Sequence, residues 1–361
     1  MTTRMQHRPT DEQRAEAFAD RMVGALDAAS LVLQCSIGDQ LGLFDVMAGS
    51  DDATSEQIAQ AAGLQERYVR EWLAALTVAR VVEHDASDRT YRLPPEHAAV
   101  LTRAAGPDNL ARLCQYIPML AEAEQLVVAA FRSGGGVPYS AFSRFHEVMA
   151  EDSAAVNDAS LLDTILPLVP GLPERLTAGI DVADFGCGSG HAVNLMARAY
   201  PASRFVGYDF SPEAIDRARA EAAACGLPNA RFEVQDVAGV DRADAFDLIT
   251  AFDAIHDQAQ PAQVLAAIAR ALRPDGIFLM VDITGSSEVA DNIDMPLATF
   301  LYTCSLLHCM PVSLGLDGVG LGTMWGRQTA LRMLGEAGFV DVAVRAIETD
   351  PQNAYYVCTL G

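Results

Sequence analysis

Val182-Ala183-Asp184-Phe185-Gly186-Cys187-Gly188-Ser189-Gly190 is the stretch that decides how this chain folds. An apolar run ends in an acid, three glycines alternate with small residues, and a helix is expected to follow. Glycine adopts left-handed backbone without strain, so such a loop turns sharply and lets a ligand lie against its main chain. The N-terminus of the next helix offers unpaired N–H groups to an anionic group. A second apolar run, Phe205-Val206-Gly207-Tyr208, ends in Asp209, 23 residues after Gly186. That is about where a dinucleotide-type fold sets a carboxylate over ribose hydroxyls. The nicotinamide fingerprint G-x-G-x-x-G/A is not met, because its last position here is His191.

Downstream of Ile180, strands and helices alternate, as in a parallel sheet covered on both faces. Strands are predicted near 180–185, 203–208, 230–234, 246–251 and 276–282. Helices start near Ser189, Ser211 and Gln260, with Pro212 suited to a first helical position. A helix over 326–337 and two apolar runs, Phe339–Val344 and Ala354–Leu360, complete the chain.

Upstream, residues 11–33 read as an amphipathic helix with Phe18, Met22, Leu26, Ser30 and Leu33 on one stripe. Thr54 and Gln57 form a capping-box pair for a short helix that Gly63 closes. A second helix over 65–79 turns Val69, Leu73 and Leu76 inward, and strands at 81–84 and 90–93 flank a turn at 85–88. Helix, turn, helix and hairpin make a winged helix. Between Asp51 and Arg92 it carries eight acids and five arginines, the wrong balance for holding phosphates. Residues 106–172 read as mostly helical, broken by Ser133-Gly134-Gly135-Gly136-Val137-Pro138-Tyr139. This loop is expected to be either flexible, with Tyr139, Phe142, Phe145 and His146 covering a ligand, or a plain surface linker.

With 361 residues, half of them hydrophobic, the chain can bury the cores of two domains. A net charge of −23 argues against a nucleic-acid partner. All 25 basic residues are arginine, which biased composition explains better than any phosphate-binding role. The seven cysteines lie scattered, without C-x-x-C or a secretory segment, and suggest reduced thiols in a cytoplasm. The nearest approach to a membrane span, Leu297 to Leu316, is interrupted by Thr299, Thr303, His308 and Pro311. A buried helix or pocket lining is the expected use.

Further motifs complete the glycine loop. Gln235-Asp236-Val237 follows the third strand, Asp247-Leu248-Ile249-Thr250-Ala251-Phe252-Asp253 covers the fourth, and Leu272-Arg273-Pro274-Asp275-Gly276 precedes the fifth. With D-x-G-x-G-x-G at 184–190, this set resembles class I S-adenosylmethionine (SAM) methyltransferases, although Asp275 stands where the family turn has glycine. The N-terminal part is similar to the winged-helix domain that precedes the catalytic domain in many small-molecule methyltransferases. The resemblance implies an α/β, Rossmann-like class I fold with a seven-stranded sheet whose last strand is antiparallel, preceded by a mainly α winged helix. It also implies a dimer and three segments: 1–105 for the winged helix and dimerisation, 106–172 for a helical linker and lid, and 173–361 for SAM binding. On this pattern Asp184, Gly186, Cys187, Gly188 and Gly190 face the methionine moiety, and Asp209 the ribose. Phe210, Gln235, Asp236 and Val237 would lie near the adenine, and Phe252 and Asp253 near the sulfonium.

In relatives with a winged helix, a His-Asp-Trp sequence beyond the fourth strand supplies a general base. Here His256-Asp257 stands, followed by Gln258, so the acceptor is left open. A histidine near its ordinary pKa of about 6.5 suits proton removal at neutral pH. The apolar insert Thr284–Trp325 is expected to build the acceptor pocket with Tyr302, His308, Met310 and Trp325, alongside Tyr139, Phe145 and His146. Spacing reveals no acid and histidine cluster for a metal. Cys187, Cys304 and Cys309 raise thiophilic arsenic methylation, but inert buried cysteines are the default. The expectation is methyl transfer from SAM to a small, largely apolar hydroxyl acceptor, with a SAM-sensing winged-helix regulator as the alternative and a catalytically idle SAM-holding scaffold as a third possibility.

Overall fold

The computed structural model describes residues 10–361, apart from the side chain of His146. The chain forms two compact units, one ending at Pro118 and the other starting at Met119.

In the first unit, Thr10 and Gln13 form a capping box that starts α1 (Asp11–Gln40). This helix is longer than the periodicity suggested, and its stripe is not packed. Phe18, Met22, Leu26 and Leu33 are exposed, whereas its buried residues are Cys35, Ser36, Gly38 and Asp39 near the C-terminal end. The rest comprises α2 (Leu43–Ala48), β1 (Ala53–Thr54), α3 (Ser55–Ala62), α4 (Glu66–Val78), β2 (Glu83–Asp85), β3 (Thr90–Arg92), α5 (Pro95–Leu101) and α6 (Leu110–Leu113). Thr54 caps α3 as expected, and Gly63 ends it at φ +68°. Val69, Leu73 and Leu76 of α4 are buried with Phe44, Ile58 and Trp72. The wing is a three-stranded sheet in the order β1-β3-β2.

After α7 (Tyr116–Ala121), the second unit contains α8 (Glu124–Ser133), α9 (Phe145–Ser160), α10 (Leu172–Ala178), β4 (Asp181–Phe185), α11 (His191–Ala199), β5 (Arg204–Asp209), α12 (Pro212–Ala224), β6 (Ala230–Val234), β7 (Phe246–Phe252), α13 (Pro261–Ala271), β8 (Leu272–Ile283), α14 (Ala298–Cys304), α15 (Met310–Gly315), α16 (Gly326–Glu336), β9 (Phe339–Ile347) and β10 (Asp350–Leu360). Its seven-stranded sheet has the order β6-β5-β4-β7-β8-β10-β9, with β10 antiparallel to both neighbours. Successive side chains of a strand point to opposite faces. Val182, Leu248, Leu279 and Val281 therefore fill one core, while Ala183, Phe185, Ile249, Phe278 and Met280 fill the other. Burial on both faces explains why β7 and β8 read as almost continuous apolar runs. The Leu272–Gly276 motif is a bulge, where the pairing register jumps from Phe246↔Leu272 to Leu248↔Ile277.

The C-terminal ends of parallel strands gather along one edge, where open α/β sheets bind ligands. Asp184, Asp209, Asp236 and Asp253 all stand at or just beyond such ends. The Gly134–Gly136 loop is anchored at its C-terminal end, whereas Gly134 and Gly135 are exposed with open space beside them. Val137 is fully buried and its N–H donates to Pro311 O at 2.8 Å. A Cβ on Gly136 would lie 2.0 Å from Gly315 N, so glycine there serves close backbone approach rather than flexibility. The apolar stretch 297–316 is short helices joined by a π turn, Ser305–Cys309. Among the described residues, no helix is long and apolar enough to cross a membrane.

Candidate active site

The glycine loop is built as its spacing implies. Gly186, Gly188 and Gly190 have φ of +81°, +53° and +74°. A Cβ at Gly186 would come within 2.7 Å of Ala254 Cβ, and one at Gly190 within 2.5 Å of Ala218 Cβ and Phe232. Gly190 therefore seats the loop on the core, while Gly188 has open space beside it. Asp209 is held by the main chain: Gly188 N donates to one carboxylate oxygen and Ser211 N to the other, both at 2.9 Å. Asp236 Oδ1 accepts from Ala238 N at 2.9 Å. Asp184 is buried, and Thr250 Oγ1 donates to it at 2.7 Å. Its burial raises the carboxyl pKa to about 7, partly offset by Thr250. Asp253 sits in left-handed backbone at φ +49°, uncommon outside glycine and frequent at functional sites. Burial first, then the Asp282 charge, raises its pKa to about 8, and its Oδ1 has no hydrogen-bond partner.

These groups share one cavity of about 460 Å³, within the range of small-molecule sites. Asp184, Gly186, Cys187, Gly188, Asp209, Phe210, Asp236, Val237, Phe252 and Asp253 line it. Gln235 does not; its amide turns back to Gly239 O at 3.1 Å. Helices add Met149, Ser153 and Asn157 of α9 and Val312 of α15, and the loop after β7 adds Asp257 and Gln258. Phe145 stacks on His308 with ring centroids 3.6 Å apart, and Tyr139 and Phe142 pack edge-on against the same imidazole. Burial, then the charges of Asp257 and Asp209, keep Tyr139 a neutral phenol.

His256 is buried just behind this wall and is not among the lining residues, whereas Asp257 is. Its Nδ1 donates to Asp282 Oδ1 at 2.8 Å, and its Nε2 lies 3.2 Å from Asp257 Oδ1. Asp282 is fixed in turn by Trp325 Nε1 at 3.0 Å and Ile283 N at 2.8 Å. Burial opposes a charged ring. The Asp282 and Asp257 carboxylates and hydrogen bonds to Asp282 and Cys309 outweigh it, holding the imidazole well above its usual range. The ordinary pKa assumed from sequence does not apply at this position.

Residues 29–103 match a family model described as an Rv2258c-like winged HTH domain, and residues 176–311 match one described as a methyltransferase domain. Residues 176–311 form a methyltransferase domain, within the unit that carries the seven-stranded sheet. A stretch of 133 residues is 36% identical to the trans-aconitate 2-methyltransferase of Variovorax paradoxus, covering 37% of this chain and 45% of that protein. The chain spans less than half the length of the first curated relatives it matches. The fold is similar along the whole chain to human N-acetylserotonin methyltransferase solved with SAM (TM-score 0.68, 16% identity, 100% of both chains). It is also similar to a mitomycin 7-O-methyltransferase (TM-score 0.69, 18% identity, 96% of this chain and 99% of that one).

The second unit distributes the residues expected to face an acceptor unevenly. Tyr139, Phe145 and His308 line the cavity. Tyr302 accepts from Asn292 at 3.1 Å, Met310 packs beside Gly320 and Gly322, and Trp325 is a core residue bonded to Asp282; none of the three lines the cavity. The His146 side chain lies outside the described residues. Lining residues of α9 went unread because their helical stripe carries no signal distinguishing a pocket wall from core. His256, Asp257 and Cys309, which no ligand spacing in the sequence links, offer donor atoms all within 4.8 Å of one another.

Proposed function

We propose that this chain transfers the methyl group of SAM to a hydroxyl of a small, largely apolar acceptor. One observation carries the reading: a single cavity joins a glycine-and-carboxylate end to an aromatic end made by Tyr139, Phe145 and His308. The acidic end fits the cofactor. Asp209, with both oxygens oriented by backbone N–H groups, suits ribose hydroxyls, and Asp236 suits the adenine amino group. Phe210 offers an aromatic face for the adenine. Asp253, with a buried oxygen lacking a partner, suits a cationic group. When bound, SAM supplies a methyl group on a positively charged sulfur, already activated for displacement. The protein's part is alignment, which is worth several kcal/mol (on the order of 7–11 at best).

Asp257 lines the cavity and His256 stands behind it, braced by Asp282, so the Asp257–His256 pair together is assigned the acceptor's proton, with Asp257 as the member that reaches the cavity. His256→Ala should retain cofactor binding and lose turnover; unchanged turnover removes His256 from the mechanism. A tricarboxylate such as the curated relatives' substrate is a poor fit. Among the described lining residues are five aspartates and one arginine, Arg217, which is bridged to Glu213 at 2.9 Å. The exposed Phe18, Met22, Val23 and Leu26 of α1 support a homodimer. Arg67 and Arg70 of α4 are paired with Glu71 and Glu66, which disfavours a regulator gripping DNA phosphates. The test is production of S-adenosylhomocysteine from SAM with a panel of small phenols, beside a mobility shift with random duplex. Turnover without a shift supports the enzyme; a salt-sensitive shift without turnover supports the regulator.

A further inference from the structure

Beside the aromatic end of the cavity, three donors of different chemistry converge from two separate segments. His256 and Asp257 lie in the turn after β7, and Cys309 closes the π turn before α15. Their ligand atoms lie within 4.8 Å of one another, and His256 Nε2 is 3.2 Å from Asp257 Oδ1. A tetrahedral ion with bonds of about 2.0–2.3 Å sets its ligands roughly 3.3–3.8 Å apart, so small side-chain adjustments suffice. We propose that His256, Asp257 and Cys309 bind one divalent ion of the zinc class, with its remaining coordination position toward the cavity.

Three observations beyond proximity support this. Metal-binding histidines usually donate their second ring nitrogen to a carboxylate, and His256 Nδ1 does so to Asp282, itself fixed by Trp325 and Ile283. Cys309 Sγ accepts a hydrogen bond from Thr323 Oγ1 at 3.0 Å, which suits a thiolate ligand. Asp257 Oδ1 is buried without a hydrogen bond of good geometry, although its residue lines the cavity. Imidazole, thiolate and carboxylate together select zinc or cobalt over magnesium or calcium. Asp257 connects the ion to the acceptor space, where the ion would lower the pKa of a bound hydroxyl or thiol. This rests on the acceptor reading above and deepens it: in the metal-free protein the His256–Asp257 pair is assigned the acceptor's proton, and in the loaded protein the ion would take over that role. The binding test itself does not depend on methyl transfer.

Full-length protein, stripped by dialysis against a chelator, would be titrated with Co(II) and then with Zn(II). The expected result is one equivalent of Co(II) per chain, a near-ultraviolet thiolate-to-cobalt band with tetrahedral visible bands, and stoichiometric displacement by Zn(II). Cys309→Ser should lose the thiolate band and weaken binding by about 100-fold, whereas Cys304→Ser should keep both. Thr323→Val should weaken binding by about 10-fold with the band retained. Circular dichroism reports whether each variant is folded. Should Cys309→Ser fail to fold, Asp257→Asn gives the answer, with about 10-fold weaker binding expected and the thiolate band kept. Absence of a thiolate band in the wild type, its persistence in folded Cys309→Ser, or unchanged affinity in Asp257→Asn would overturn the proposal. Calorimetry with S-adenosylhomocysteine on the stripped protein reports cofactor binding separately, so failure of one reading is not mistaken for failure of the other.

Discussion

The two ends of the cavity are made in different ways. The acidic end is built from strand termini and, mostly, main-chain N–H groups: Asp209 is held by Gly188 N and Ser211 N and Asp236 by Ala238 N, while Asp184 accepts from the Thr250 hydroxyl of the neighbouring strand. The aromatic end is built from helices and a clamped loop, with Tyr139, Phe142 and Phe145 around His308. Backbone-fixed carboxylates suit a ligand that is always the same. Side chains packed on helices can change without disturbing the sheet, which suits an acceptor that varies between relatives.

That contrast predicts separable effects. His256→Ala should cut turnover by about 1,000-fold, typical of losing a proton-transfer group, with cofactor affinity unchanged. Single-turnover kinetics with a calorimetric control checks this. Asp209→Ala should weaken cofactor binding by roughly 100-fold, about 3 kcal/mol, because it removes a charged acceptor of two hydroxyls. Phe145→Ala should leave cofactor affinity alone and raise the acceptor KM by about 10-fold. If Phe145→Ala weakened the cofactor as much as Asp209→Ala does, the two ends would not be independent.

Smaller effects test the construction itself. Gly136→Ala should lower the melting temperature, since its Cβ would meet Gly315 N at 2.0 Å on the backbone rather than a movable side chain. The buried acids give the protein without cofactor a pH dependence. The pKa values of Asp184 and Asp253 are raised to about 7 and about 8 by burial. Groups shifted upward add stability at pH values below about 4, the unfolded value, and lose it as pH rises through the folded one. Stability of the cofactor-free protein should therefore decline between about pH 4 and 8. Asp253→Asn, which tolerates the left-handed backbone, should raise the melting temperature by a few degrees (~2–4 °C per kcal/mol) at pH 8 and change little near pH 4.

The same contrast explains what sequence could convey. The acidic end was legible because glycine spacing, strand-terminal acids and the Gly186 to Asp209 interval are local patterns set by backbone geometry. The winged helix was legible for the same reason, through the Thr54–Gln57 cap and the Gly63 stop. The aromatic end depends on which helix faces fall opposite each other. Met149, Ser153, Asn157 and Val312 were missed, while Trp325 and Tyr302 were expected in a pocket they do not line. The extension of α1 to Gln40 was also unread, because Cys35, Ser36 and Asp39 continue the helix without continuing its apolar stripe. The state of His256 was invisible, since Asp282, 26 residues away, sets it.

The central claim is that a carboxylate and a glycine turn hold the cofactor at one end of a cavity whose other end takes the acceptor. Titration calorimetry of S-adenosylhomocysteine into wild type, Asp209→Ala and Phe145→Ala tests it most directly. One site per chain in the wild type, weakened roughly 100-fold by Asp209→Ala and retained at full affinity by Phe145→Ala, is the predicted result. No heat with the wild type, or an Asp209→Ala variant that binds as well, contradicts it.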